Sequence, residues 1–103
     1  MAQDMAEIVF DTNLAIEPST AYMATVAARN IVTLESTGLV GTEEITLYKK
    51  ARDLYEPLWV DGEQKKFTST NNVIQITGPA QVFFKKLTTT NSVELRKLSI
   101  FNI

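Results

Sequence analysis

Apolar and polar residues alternate along this chain in short runs, each halted after a few positions by turn-forming residues. The runs are Asn30–Glu35, Glu44–Tyr48, Tyr55–Val60, Lys66–Thr70, Val73–Thr77, Gln81–Lys85 and Val93–Arg96. Their Val, Ile, Thr and aromatic content favours a pleated, half-buried surface. Short strands at such regular spacing are what an antiparallel sandwich or barrel produces. Within the runs, period-two alternation turns Ile45 and Leu47 to one face, and Ile74 and Ile76 likewise, with Gln75 and Thr77 opposite.

The punctuation between runs is equally informative. Thr37–Thr42 reads as a loop whose Gly38 and Gly41 can take positive φ. Lys49–Asp53 reads as an exposed connection. Pro57 lacks an N–H and marks an edge or bulged strand. Asp61-Gly62 is a hairpin-turn pair, Asn71-Asn72 forms a turn, and Gly78-Pro79 is a third turn signal. After Leu95 the alternation slips phase at Arg96-Lys97, which predicts a β-bulge there.

Residues 1–20 read differently. Ala6–Phe10 has strand character, but Asp11-Thr12-Asn13 and Glu17-Pro18-Ser19 interrupt it. The stretch is expected to be an extended arm with apolar anchors at Ile8, Phe10, Leu14 and Ile16; a first strand plus a loop is the alternative. Ala21–Asn30 fits a short capped helix, or a strand with Tyr22, Ala24, Val26 and Ala28 on one face. The strand is preferred because the remaining sheets need partners.

Composition narrows the chemistry. The 103 residues are enough for one domain and one core, and 45% apolar content is that of a folded protein. No apolar stretch approaches the length of a membrane span, and residues 1–7 carry Asp4 and Glu7 where a secretion leader would be basic. The chain has no His and no Cys, which removes disulfides, thiolate chemistry and the commonest metal ligands. No Asp/Glu run has calcium-loop spacing, and no Gly-rich segment leads into a phosphate-binding Lys-Ser/Thr. Glu43-Glu44, or Glu56 with Asp61, are the carboxylate pairs open to acid–base work. Adjacent strand residues face opposite sides, so the first pair cannot flank one bond. The expectation is a non-enzyme with no cofactor, no metal and no catalytic set.

Charge is uneven. Residues 1–48 hold seven acids against one base (−6), and residues 49–103 hold nine bases against five acids (+4), for a net −2. The basic doublets Lys49-Lys50, Lys65-Lys66, Lys85-Lys86 and Arg96-Lys97 fall at strand ends. There they read as guards that keep sheet edges soluble. An acidic chain is a poor nucleic-acid binder, so neither nucleic acid nor membrane is an expected partner. Tyr48, Tyr55 and Trp59 offer either a glycan-stacking platform or core side chains. For the lone Trp, core is the expected role.

One order of elements carries a resemblance. Val32–Leu47 has the form strand, Gly-Leu-x-Gly-x-Glu, strand, from Gly38-Leu39-Val40-Gly41-Thr42-Glu43. Trp59-Val60-Asp61-Gly62, Phe67–Pro79 and Val82-Phe83-Phe84-Lys85-Lys86 follow. Residues 31–87, just over half the chain, resemble the small β-sandwich structural proteins that decorate or cement the capsids of tailed bacteriophages. The N-terminal arm and the charged last strand depart from that pattern. The resemblance implies a virion protein made in the host cytoplasm, acting by binding the shell and by self-association.

The expected fold is therefore all-β: an antiparallel β-sandwich, jelly-roll-like, with about seven or eight short strands. Residues 1–20 form the arm and residues 21–103 the single domain. The expected function is capsid decoration or cementing, with the major capsid protein as partner and self-association as a dimer or trimer. A glycan-binding module or another virion position (head fibre, tail, connector) is the alternative. The expected contact residues are Ile8, Phe10, Leu14 and Ile16 in the arm, Leu39, Val40 and Glu43 in the glycine loop, and Lys49, Lys50, Lys85 and Lys86 at strand ends.

Overall fold

A computed structural model describes residues 5–20 and 22–100. Eleven strands follow in order: β1 (Met5–Thr12), β2 (Met23–Val26), β3 (Ile31–Thr37), β4 (Ile45–Ala51), β5 (Leu54–Pro57), β6 (Trp59–Val60), β7 (Glu63–Gln64), β8 (Lys66–Phe67), β9 (Val73–Thr77), β10 (Ala80–Lys86) and β11 (Val93–Ile100). One sheet has the order β1-β11-β3-β9. The second runs β2-β10-β4-β5, with β8 also on β4, and β6-β7 is a separate hairpin.

The pairings nest. β1 joins β11, β2 joins β10, β3 joins β9 and β4 joins β5, all antiparallel. This is one long hairpin rolled into two packed sheets, the jelly-roll form of a β-sandwich. The inner faces supply the core: Leu34, Ile45, Leu47, Phe67, Phe84, Val93 and Leu95 are fully buried. Alternation does what the sequence predicts for Ile45 and Leu47 and for Ile74 and Ile76, all of which face inward.

Several turns follow their residue chemistry. Asp61 and Gly62 both take positive φ (54° and 81°) and close the β6–β7 hairpin, as a type I′ turn requires. Gly78-Pro79, a cis peptide, leads from β9 in one sheet to β10 in the other. Lys49–Ala51 belongs to β4, so the expected connection shrinks to Arg52-Asp53. The strand preference holds over residues 23–26, with Ala24 and Val26 inward; Ala28 lies past its end and is exposed, and Ala21 lies outside the described residues.

Two expectations need correction. The bulge is in β1, where the register steps from Ile8↔Arg96 to Phe10↔Leu95 with Val9 as the extra residue. β11 runs in unbroken register with β3. Its apparent slip arises because Lys97 occupies the inner-facing position after Val93 and Leu95, and its Nζ reaches Thr25 O of the other sheet at 3.0 Å. Second, residues 5–16 do not form a free arm. β1 is an edge strand, and Ile16 exchanges backbone hydrogen bonds with Lys86 at 2.9 and 3.0 Å. Residues 1–4 lie outside the described part.

Candidate functional site

Among the expected contact residues, burial separates two groups. Phe10, Ile16, Leu39 and Lys86 are buried within the sandwich and are unavailable to a partner in this fold. Phe10 packs on Phe84 (ring centroids 5.7 Å) and Tyr22 (5.4 Å). The bulge at Val9 is the reason Ile8 and Phe10 part company: period two would align them, but the extra residue leaves Ile8 outward. Ile8, Leu14, Val40, Lys49, Lys50 and Lys85 are exposed.

One end of the sandwich draws three of the implicated segments together. Thr89 N donates to Asn13 O at 2.9 Å, extending the Ile16–Lys86 pairing. Glu43 then ties the glycine loop to the same segment. Its Oε1 accepts from Val40 N at 3.0 Å, and its Oε2 accepts from Thr90 N at 2.8 Å and Thr90 Oγ1 at 3.1 Å. Those backbone N–H groups, Val40 first and Thr90 next, hold the Glu43 carboxyl below the usual carboxylate range, and the Lys86 charge adds to the effect.

Lys86 sits beneath this latch. Its Nζ lies 3.3 Å from Thr89 Oγ1 and 3.5 Å from Leu87 O, and Thr89 Oγ1 donates onward to Asn91 O at 2.8 Å. Burial pushes its pKa down, and the Glu43 charge partly offsets that. A groove of about 460 Å³ beside it is lined by Glu43, Glu44, Thr46, Tyr48, Lys85 and Leu87 among others. Glu43 and Lys86 therefore act inside the molecule, fixing the loops that carry exposed apolar side chains. Those side chains are Leu14 (64% exposed), Val40 (41%) and Leu87 (75%). Leu87, which sequence reasoning passed over, is the most exposed large apolar residue among those described. Its signal was its place directly after Lys85-Lys86, at the end of an apolar strand.

The aromatics divide as well. Tyr48 and Tyr55 are half-buried on the outer face of the second sheet, where Tyr55 meets Phe83 edge-on at 5.1 Å and Lys50 Nζ lies 5.4 Å from the Tyr55 ring centre. Trp59 is 59% exposed, contrary to the core role expected for it. Leu58 N still donates to Leu47 O of β4 at 2.9 Å, so the chain holds to the sheet past Pro57, and Trp59 then leaves it in the β6–β7 hairpin. Among the described residues no three acidic side chains converge as metal ligands would, and no helix is long and apolar enough to cross a membrane.

No protein-family model matches the chain, and no curated protein matches it. Among solved structures it is similar to the SPBc2 prophage-derived protein YomS, with a TM-score of 0.69 over 98% of this chain and 96% of that one, at 14% identity. At that identity the likeness is one of fold.

Proposed function

We propose that this chain is a non-enzymatic structural protein of a tailed-phage particle: a decoration or cement protein that binds the assembled capsid, self-associates, and resides in the virion after synthesis in the host cytoplasm. The observation that carries the reading is the full-length fold shared with a prophage-derived protein. The latched end supports it, because three separate segments there are braced to present Leu14, Val40 and Leu87 to solvent. Apolar side chains held out from a rigid frame suit protein contact.

The mechanism is mass action. A protein that binds the assembled shell and not its dissociated subunits stabilises the shell, by about 2.7 kcal/mol per site at a free concentration a hundredfold above Kd. Co-sedimentation with expanded capsids lacking the protein tests this. Saturable binding at a fixed ratio to the major capsid protein, a raised capsid melting temperature, and weakened binding by Leu14→Glu or Leu87→Glu are expected. Absence of binding by the folded wild type refutes the proposal.

The exposed Trp59 favours one second reading, a glycan-binding module on a host-facing surface. Quenching or shifting of tryptophan emission by glycans in an array would select it over cement.

A further inference from the structure

We infer that β9 is a self-pairing edge, through which two copies of this chain join antiparallel into one continuous eight-stranded sheet. The phase of the β3–β9 ladder is the starting point. Ser36 N donates to Asn72 O and Gly78 N to Asn30 O, each at 2.9 Å, and both pairs fall in the register of Leu34↔Ile74 and Val32↔Ile76. Hydrogen-bonded pairs recur at every second residue of an antiparallel ladder. Ile74 and Ile76 therefore spend their backbone groups on β3, and Val73, Gln75 and Thr77 turn theirs to the open edge.

The other edges of the two packed sheets each carry a device against pairing. β1 has the Val9 bulge with Glu7 and Asp11, and β5 has Glu56 and Pro57. β8 is two residues long and includes Lys66. β2 offers four residues, and its Thr25 carbonyl is taken by Lys97 Nζ. β9 has no charge, no proline and no bulge, which is the condition under which edges pair. Open grooves border it in place of packed chain: about 640 Å³ against Glu63–Lys66 and about 860 Å³ against Leu58, Val60 and Pro79–Val82.

The occupant is a second copy because Val73-Ile74-Gln75-Ile76-Thr77 is close to a palindrome. Turned antiparallel about Gln75, it sets Gln75 opposite Gln75, Val73 opposite Thr77, and the two isoleucines opposite each other. Each outward N–H then meets an outward carbonyl, no like charges face each other, and a two-fold axis closes the assembly. Ile74 and Ile76, 6% and 7% exposed, lose their remaining water contact.

This deepens the self-association in the proposed function. Its test needs no capsid, so the two fail separately. Sedimentation velocity over a dilution series should show wild type approaching twice the 11.5 kDa chain mass. Gln75→Lys and Gln75→Glu, at an exposed position, should each move the midpoint about fivefold to higher concentration, and an equimolar mixture should recover it. In the wild-type dimer the amides of Val73, Gln75 and Thr77 should be protected from hydrogen exchange and become fast on dilution. A wild type that stays monomeric, a mixture that does not recover, or a dimer with those three amides unprotected overturns the inference.

Discussion

Replacing Gly78 with alanine probes the tightest backbone approach at any of the four glycines. A Cβ there would sit 1.8 Å from Ala27 O, 2.7 Å from Ala27 C and 2.9 Å from Val26 O, all main-chain atoms without a flexible end to yield. To reach ordinary contact, roughly 3.5 Å, the two segments must part by well over 1 Å. That movement breaks the bond from Gly78 N to Asn30 O (2.9 Å), which joins the two segments. The bond contributes about 1 kcal/mol net. The movement also displaces Val26, buried against β10, at a repacking cost of about 1–2 kcal/mol. The sum is about 2–3 kcal/mol, a large share of the stability of a small domain. Gly62→Ala is the control: its Cβ meets nothing within 4 Å, and only the positive φ of 81° opposes it, at about 1 kcal/mol. Urea unfolding followed by circular dichroism separates the two, with a midpoint shift of about 2 M for Gly78→Ala and under about 1 M for Gly62→Ala. A Gly78→Ala protein no less stable than Gly62→Ala refutes the packing argument.

Among the described residues the buried Ser36 hydroxyl has no hydrogen-bond partner, so Ser36→Ala should raise stability by up to about 1 kcal/mol in the same urea assay. Lys86→Met keeps the volume but takes the ammonium from Thr89 Oγ1 and Leu87 O, and should cost about 1 kcal/mol near neutral pH, the lost hydrogen bonds outweighing relief of the buried charge. Because burial lowers the folded pKa of Lys86, the unfolded chain holds that proton more tightly. Wild-type stability should therefore rise with pH between the lowered value and the ordinary lysine value, and melting curves of Lys86→Met should lack that rise. For Glu43 the lowered pKa gives stability that is present above the ordinary carboxylate value and lost as pH falls through the folded one. Glu43→Gln should flatten that acid limb of the Tm–pH profile, and identical limbs would exclude the latch. Trp59 should emit as a solvent-exposed indole with ready acrylamide quenching, and Trp59→Ser should cost under about 0.5 kcal/mol.

Local alternation made most of the sandwich readable, since each inward Ile, Leu or Val in β3, β4, β9 and β10 reports its own face. Pairing was less accessible. Nothing near Ile8 or Phe10 announces that β1 will lie on β11, because that contact joins opposite ends of the chain. An apolar stretch interrupted by Asp11 and Pro18 then reads as a loose arm, although Phe10 and Ile16 are core. Trp59 misleads for a related reason: its exposure depends on the chain quitting β4 after Leu58 and returning at Lys65, a detour that pairing and not local alternation sets.

The basic doublets carry the same lesson into the candidate site. Two successive residues of a strand face opposite sides, so a doublet in a strand that lies over the core turns one of its residues inward. Lys85 is outside and Lys86 is buried under Thr89; Arg96 is outside and Lys97 spans the gap to Thr25 O. Lys86 ends β10 with its ammonium on Thr89 Oγ1 and Leu87 O, whereas Lys97 lies midway along β11, opposite Leu34, and reaches Thr25 O of the other sheet. Lys49-Lys50 behaves otherwise because β4 runs on past the core, where both faces meet water. The charge that makes the sequence look like a rim for partners is thus half structural. It holds the loop ends in place and leaves contact to the apolar side chains those loops carry, Leu14, Val40 and Leu87.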